Sequence, residues 1–172
     1  MRDRLDRHPG IEAPEKMAGL PESGVVVSWA NTRGRLHIGV HRESLKDGAA
    51  IHQALVSPRA HQKRRLVATG QTDGVILYRI ENVRSGKVLE AADVRRTAGA
   101  PIAQRDYEGV QARHQHWRPA PMSAETDTST VHEIANHHSG PLLHAATNAP
   151  AALIQQDADG DPRNRQWQLL PA

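Results

Sequence analysis

The sequence predicts an all-β chain closed into a barrel with a threefold cap, and three observations carry that expectation. First, GAAIHQ (Gly48 to Gln53), GAPIAQ (Gly99 to Gln104) and AALIQ (Ala151 to Gln155) place Ile51, Ile102 and Leu153 at a constant step of 51 residues. Second, other marks recur around them in the same order, as a structural repeat requires. Third, short apolar runs stand between Gly, Pro, Asn and Asp, where a helical protein would carry long stripes at helical spacing.

Taken in order, residues 1–23 are charged and broken by Pro9, Pro14 and Pro21, and read as a flexible or loosely docked arm. A single domain follows over residues 24–172, with units at about 24–70, 75–119 and 130–171. WAN, IEN and IAN (Trp29 to Asn31, Ile80 to Asn82, Ile134 to Asn136) open the three units, and a glycine follows each, at Gly34, Gly86 and Gly140. An apolar pair or alternation comes next: RLHI, KVLEA, PLLHA. The glutamines Gln53, Gln104 and Gln155 keep the step of 51, and the units close on Gln62-Lys63-Arg64, Gln115-His116-Trp117 and Arg165-Gln166-Trp167.

Each unit reads as four short strands with polar turns. The first offers VVVSWAN, RLHIGV, AAIHQAL and KRRLVAT; the segment PAPMSAETDTS, Pro119 to Ser129, reads as a linker between the second and third. Four short strands cannot bury their apolar face alone, so three copies must share one core. Closing them into a barrel also removes exposed strand edges.

Composition narrows the function. Apolar residues make up 38%, mean hydropathy is −0.62, and three Trp and two Tyr supply all the aromatic bulk. The net charge of +3 and pI of about 9.7 come from Arg and Lys scattered through all three units, so nucleic-acid binding is not expected. The absence of cysteine excludes disulfides and thiol chemistry. No run is long enough to span a bilayer and no apolar leader opens the chain, which favours the cytoplasm over export.

Eleven histidines raise the question of a metal. His114 and His116 alternate, and His137 and His138 stand near His132 and His144, but no Cys and no H-E-x-x-H accompanies them. They read as scattered surface residues, and no metal or cofactor is expected. An enzyme needs a nucleophile, base and orienter together, or paired carboxylates. Ser85 and Ser139 fall in repeated turns that already explain them, so a non-catalytic protein is expected.

The second unit, YRIENVRSGKVLEA followed by GAPIAQ and QHW, resembles the repeat of ricin B-type lectin domains. The resemblance covers about Gly24 to Leu170. It implies a β-trefoil whose units each close on Q-x-W, the Trp packing in the core and the Gln bonding backbone. The third unit departs in carrying Arg165 for the Gln, and the first in carrying Arg64 for the Trp.

The resemblance also implies a shallow sugar pocket in each unit and a carbohydrate or glycoconjugate partner. A carboxylate accepts bonds from neighbouring hydroxyls, an aromatic face meets the C–H face of the ring, and amides bond hydroxyls in both senses. Carried over, the second unit offers Glu90, Gln104, Tyr107, His114 and Gln115, and Ala substitution of Glu90 or Tyr107 is expected to leave the unfolding midpoint nearly unchanged. The third unit keeps Gln155 and Asn164, with His144 at the acidic position and no aromatic platform. In the first, His37 replaces the acid and Ala54, Leu55 and Val56 the platform. One such pocket binds at about −4 kcal/mol, so useful avidity needs oligomerisation or a partner domain. The rival is a trefoil scaffold that binds a protein through loops such as HRESLKDG or QTDG.

Overall fold

The computed structural model describes residues 19–122, 130–158 and 160–172. Most of the expected arm, residues 1–18, lies outside them. Thirteen strands occur among the described residues. The first unit holds β1 (Val25–Asn31), β2 (His37–Val40), β3 (Ile51–Ala54) and β4 (Arg64–Thr72). The second holds β5 (Val75–Asn82), β6 (Val88–Ala91), β7 (Ile102–Arg105) and β8 (Trp117–Met122). The third holds β9 (Thr130–Asn136), β10 (Leu142–His144), β11 (Ala151–Ala152), β12 (Ile154–Gln156) and β13 (Trp167–Pro171).

Six strands close a barrel by antiparallel pairing in the order β1, β4, β5, β8, β9, β13 and back to β1. Closure leaves this barrel without a free edge. The hairpins β2–β3, β6–β7 and β10–β12 stand on it. Strand β11 is a fifth strand in the third unit, and it pairs with β3 of the first. Strand β8 runs on through Pro119–Met122, the start of the expected linker, paired with β9; residues 123–129 lie outside the described residues.

Alternation puts one face of each barrel strand inward, and the core gathers Trp29, Trp117, Trp167, Ile80, Ile134, Ile51, Ile102 and Leu153, all fully buried. The three residues at the constant step meet under the cap. Ile102 N–H donates to Leu153 O at 3.2 Å, and Leu153 N–H donates to Ile51 O at 2.8 Å.

The asparagine of each opening tripeptide holds a turn and a seam at once. Asn31, Asn82 and Asn136 accept, through Oδ1, the N–H groups two and three residues on. Their Nδ2 groups donate to Asn164 O, His61 O and His114 O, at the end of a unit just before its closing strand. The same turns correct the glycine register. Arg35, Gly86 and Gly140 each donate N–H to the carbonyl of the opening Asn and have φ of 63°, 76° and 95°. The left-handed residue of the first turn is therefore Arg35, and Gly34 stands where Ser85 and Ser139 stand.

That shift leaves a mark on the core. Ser85 Oγ donates to Gln104 Oε1 at 3.1 Å and Ser139 Oγ to Gln155 Oε1 at 2.7 Å, while Gln53 Oε1 is buried with no hydrogen-bond partner among the described residues. The double substitution Gly34→Ser with Arg35→Gly is expected to stabilise the fold by about 1–2 kcal/mol, from one buried bond and a relieved left-handed arginine. Calorimetry should show a midpoint higher by about 2–8 °C. The new Cβ would lie 3.3 Å from Asn148 O, so that loop must give by a few tenths of an ångström.

Burial holds several imidazoles neutral. Trp29 Nε1–H donates to His132 Nδ1 at 3.3 Å, so His132 donates Nε2–H to Gly19 O at 2.7 Å. This bond docks the start of the described chain, as do those of Tyr78 Oη–H to Pro21 O and of Ala68 N–H to Ser23 Oγ. Desolvation lowers the pKa of His37, His61, His116 and His132, and takes His52 down to about 4. The unfolded chain takes up these protons near pH 6.5, whereas the fold refuses them until lower pH. Their contribution to stability is therefore complete above 6.5 and lost as pH falls through the folded values. The unfolding midpoint should decline steadily between pH 6.5 and 4, and a midpoint flat over that range would contradict the buried neutral state.

Candidate functional site

The β6–β7 hairpin and the 3-10 turn Arg113–Gln115 bring the second-unit residues together. Glu90 lies opposite Ala103, so Arg105, two residues on, is its diagonal neighbour on the same face. Arg105 Nε donates to Glu90 Oε2 at 3.0 Å, and Gln115 Nε2 to Glu90 Oε1 at 3.1 Å. Glu90 is only 1% exposed, and the cover over it is Arg105, whose side chain is 38% exposed. The carboxylate is neither solvated nor open, and its pairing raises the pKa of Arg105 further.

Gln115 also fixes the loop that carries the aromatic. It accepts Glu108 N–H at 2.8 Å and donates to Asp106 O at 3.0 Å, which places Tyr107 beside the hairpin. The Tyr107 hydroxyl and His116 Nε2 are 2.7 Å apart, and the Arg79 guanidinium stands 4.7 Å from the ring centroid. Arg79 is held in turn by Glu81 at 2.7 Å. His114 Nε2 lies 3.5 Å from both Glu90 Oε1 and Glu108 Oε1, bridging floor and rim. On the rim, Lys87 reaches Asp106 at 2.7 Å and Asp47 at 3.0 Å, joining the second unit to a loop of the first.

Gln104 and Gln155 face the interior. Gln104 Nε2 donates to Ser44 O and Lys46 O of the first unit, and Gln155 Nε2 to Arg95 O and Thr97 O of the second. Gln53 completes the cycle by donating to Thr147 O and Ala149 O of the third. These amides hold loops, and Asn164 is set apart from Glu90, its Oδ1 accepting from Arg33 at 3.0 Å.

The hairpin registers decide what replaces Glu90 elsewhere. Gln53, Gln104 and Gln155 lie opposite Ile38, Leu89 and Leu143, so Gly39 and His144 stand at the place of Glu90. His37, one turn of the pleat earlier, corresponds to Val88 rather than to the acid. Arg105 and Arg79 were not among the expected site residues. The opposite charge diagonal to Glu90 was the sequence signal for Arg105; Arg79 comes from a barrel strand far along the chain and had none.

Among the described residues no group of three or more His, Cys, Asp or Glu is arranged to hold a metal ion. No helix among them is long and apolar enough to cross a membrane.

No family model matches the chain, and no curated protein matches it in sequence. Among solved structures it is similar to a designed three-fold symmetric protein, ThreeFoil: 27% identity, 86% of this chain and 99% of that chain covered, TM-score 0.73. It is similar to 1,3Gal43A, an exo-β-1,3-galactanase from Clostridium thermocellum, at 22% identity and TM-score 0.72, covering 89% of this chain but 31% of that one. It is also similar to the Rhizoctonia solani agglutinin, at 16% identity and TM-score 0.67, covering 90% and 100%. The barrel with its three hairpins is a β-trefoil.

Proposed function

We propose that this chain is a non-catalytic carbohydrate-binding module, a ricin B-type trefoil of three related units whose sugar surface lies on the second. The observation that carries it is a buried carboxylate, Glu90, fixed beside a half-buried aromatic, Tyr107, by one glutamine, Gln115. Similarity of fold to an agglutinin supports it. The three glutamines that each clamp a loop of a neighbouring unit support the repeat.

Glu90 has about four lone-pair sites, of which Arg105 and Gln115 take two. When Arg105 swings outward, the remaining sites accept from neighbouring sugar hydroxyls, and Arg105 donates to ring or glycosidic oxygens. Arg79 backs one face of Tyr107, and the other meets the C–H face of the sugar. His114 supplies a bond at the rim. Gln104 acts through the loop it holds, as does Gln155 in the third unit, where Asn164 keeps a half-buried amide and the weaker share.

A glycan array with the intact chain tests this. Tyr107→Ala should abolish the array signal with a modest fall in the unfolding midpoint, since His116 loses its partner at 2.7 Å. Glu90→Ala should abolish it too, again with a lower midpoint, because removing a buried partner of Arg105 and Gln115 costs about 1–3 kcal/mol. An array profile unaffected by Tyr107→Ala removes the second-unit surface from consideration.

A further inference from the structure

The first unit departs from the second at the place of Glu90, where the carboxylate is lost. Gly39 lies opposite His52 as Glu90 lies opposite Ala103. A Cβ on Gly39 would come within 2.9 Å of His61 Nδ1, so the imidazole fills the room beside this strand. His61 Nδ1 accepts Val40 N–H at 3.2 Å, which leaves the ring proton of the neutral form on Nε2. His52 stands beside it, with ring centroids 6.4 Å from His61 and 5.7 Å from His41.

Arg64 stands at the position of the closing Trp. It lies opposite Asn82 as Trp117 lies opposite Asn136 and Trp167 opposite Asn31. The two indoles donate to Leu89 O and Leu143 O. Arg64 is 0% exposed, and all three guanidinium nitrogens lack a hydrogen-bond partner among the described residues, as does the buried His52 Nε2. Burial is the main cause of the lowered pKa of His52 and His61, the Arg64 charge adds to it in both, and desolvation takes the pKa of Arg64 itself down to about 9. The acid acting on His61 is Glu43, whose carboxylate is already taken by Arg59 at 2.7 Å. A buried cation without a counter-charge is strongly disfavoured.

We propose that the His41–His52–His61 face of the first unit, with Arg64 beneath it, binds a small anionic group: the carboxylate, sulfate or phosphate of a free ion or of an acidic saccharide. The anion balances the Arg64 charge and accepts the Nε2–H of His61. This site is separate from the second-unit surface and stands whether or not that surface binds sugar.

The test uses the full chain at pH 7 and fixed ionic strength, titrated by calorimetry with sodium sulfate, sodium phosphate, sodium glucuronate and, as a neutral control, methyl glucoside, against a chloride background. Saturable binding of at least one anion is expected, with a rise in unfolding midpoint, none with methyl glucoside, and at least tenfold weaker affinity in Arg64→Met. Sulfate or phosphate binding without glucuronate identifies a free ion as the source, and tighter glucuronate binding an acidic saccharide. Absence of saturable binding in the unmodified chain, or unchanged affinity in Arg64→Met, overturns the proposal. If Arg64→Met does not fold, His52→Asn with His61→Asn must show the same loss.

Discussion

The structure depends on three fully buried glutamine side chains, each of which ties its own hairpin to a loop of a different unit. Gln53 holds the third unit, Gln104 the first and Gln155 the second, every Nε2 donating to two backbone carbonyls. A hairpin and a bare loop cannot satisfy those carbonyls by themselves once they are removed from water, and each unmet group is costly. Because the bonds run in a cycle, no unit completes its own cap. The asparagines do the same work at the turns, bonding from the start of one unit to the end of another.

A frame fixed in this way frees other positions to diverge. The place of Glu90 holds a glycine in the first unit and a histidine in the third, and the place of Trp117 holds an arginine in the first. The closing glutamine keeps its structural duty where it survives: Gln62 accepts Ser57 N–H and donates to Leu55 O, as Gln115 does with Glu108 and Asp106. In the third unit Arg165 takes that position and reaches Glu133 on β9 at 3.0 Å. The loop geometry around a site thus depends on one amide, while the chemistry of its floor depends on a residue of the facing hairpin.

The all-β class, the barrel, the shared core and most strand positions were legible because apolar alternation and the step of 51 are properties of the chain itself. What the step marks is position in the frame, and the sequence alone does not separate a residue that recurs because it holds a loop from one that recurs because it touches a ligand. Gln104 and Gln155 resemble ligand residues in one dimension, yet both amides point at backbone. Single-residue offsets were hidden for a related reason. Gly34 looks like the turn glycine, but hydrogen bonding gives the left-handed position to Arg35. His37 looks like the replaced acid, but pairing gives that place to Gly39. In strands such a slip changes the face on which a side chain stands, so small errors of alignment matter most at sites.

Burial explains the remaining differences. Ala substitution of Glu90 was expected to leave the unfolding midpoint nearly unchanged, which suits a carboxylate in a shallow, wet pocket but not one that is 1% exposed. Glu90 is tolerated inside because Arg105 lies diagonal to it and Gln115 reaches back from the closing turn, so the charge is met by a cation and an amide held in place by the loop. Among the described residues Arg64 has no such escort, although its position in the barrel is as deep as that of Trp117. The same frame therefore accommodates a satisfied anion in one unit and, among the described residues, a cation without a hydrogen-bond partner in another. Glu90 is met from within its own unit, and the proposed anion gives Arg64 the corresponding partner.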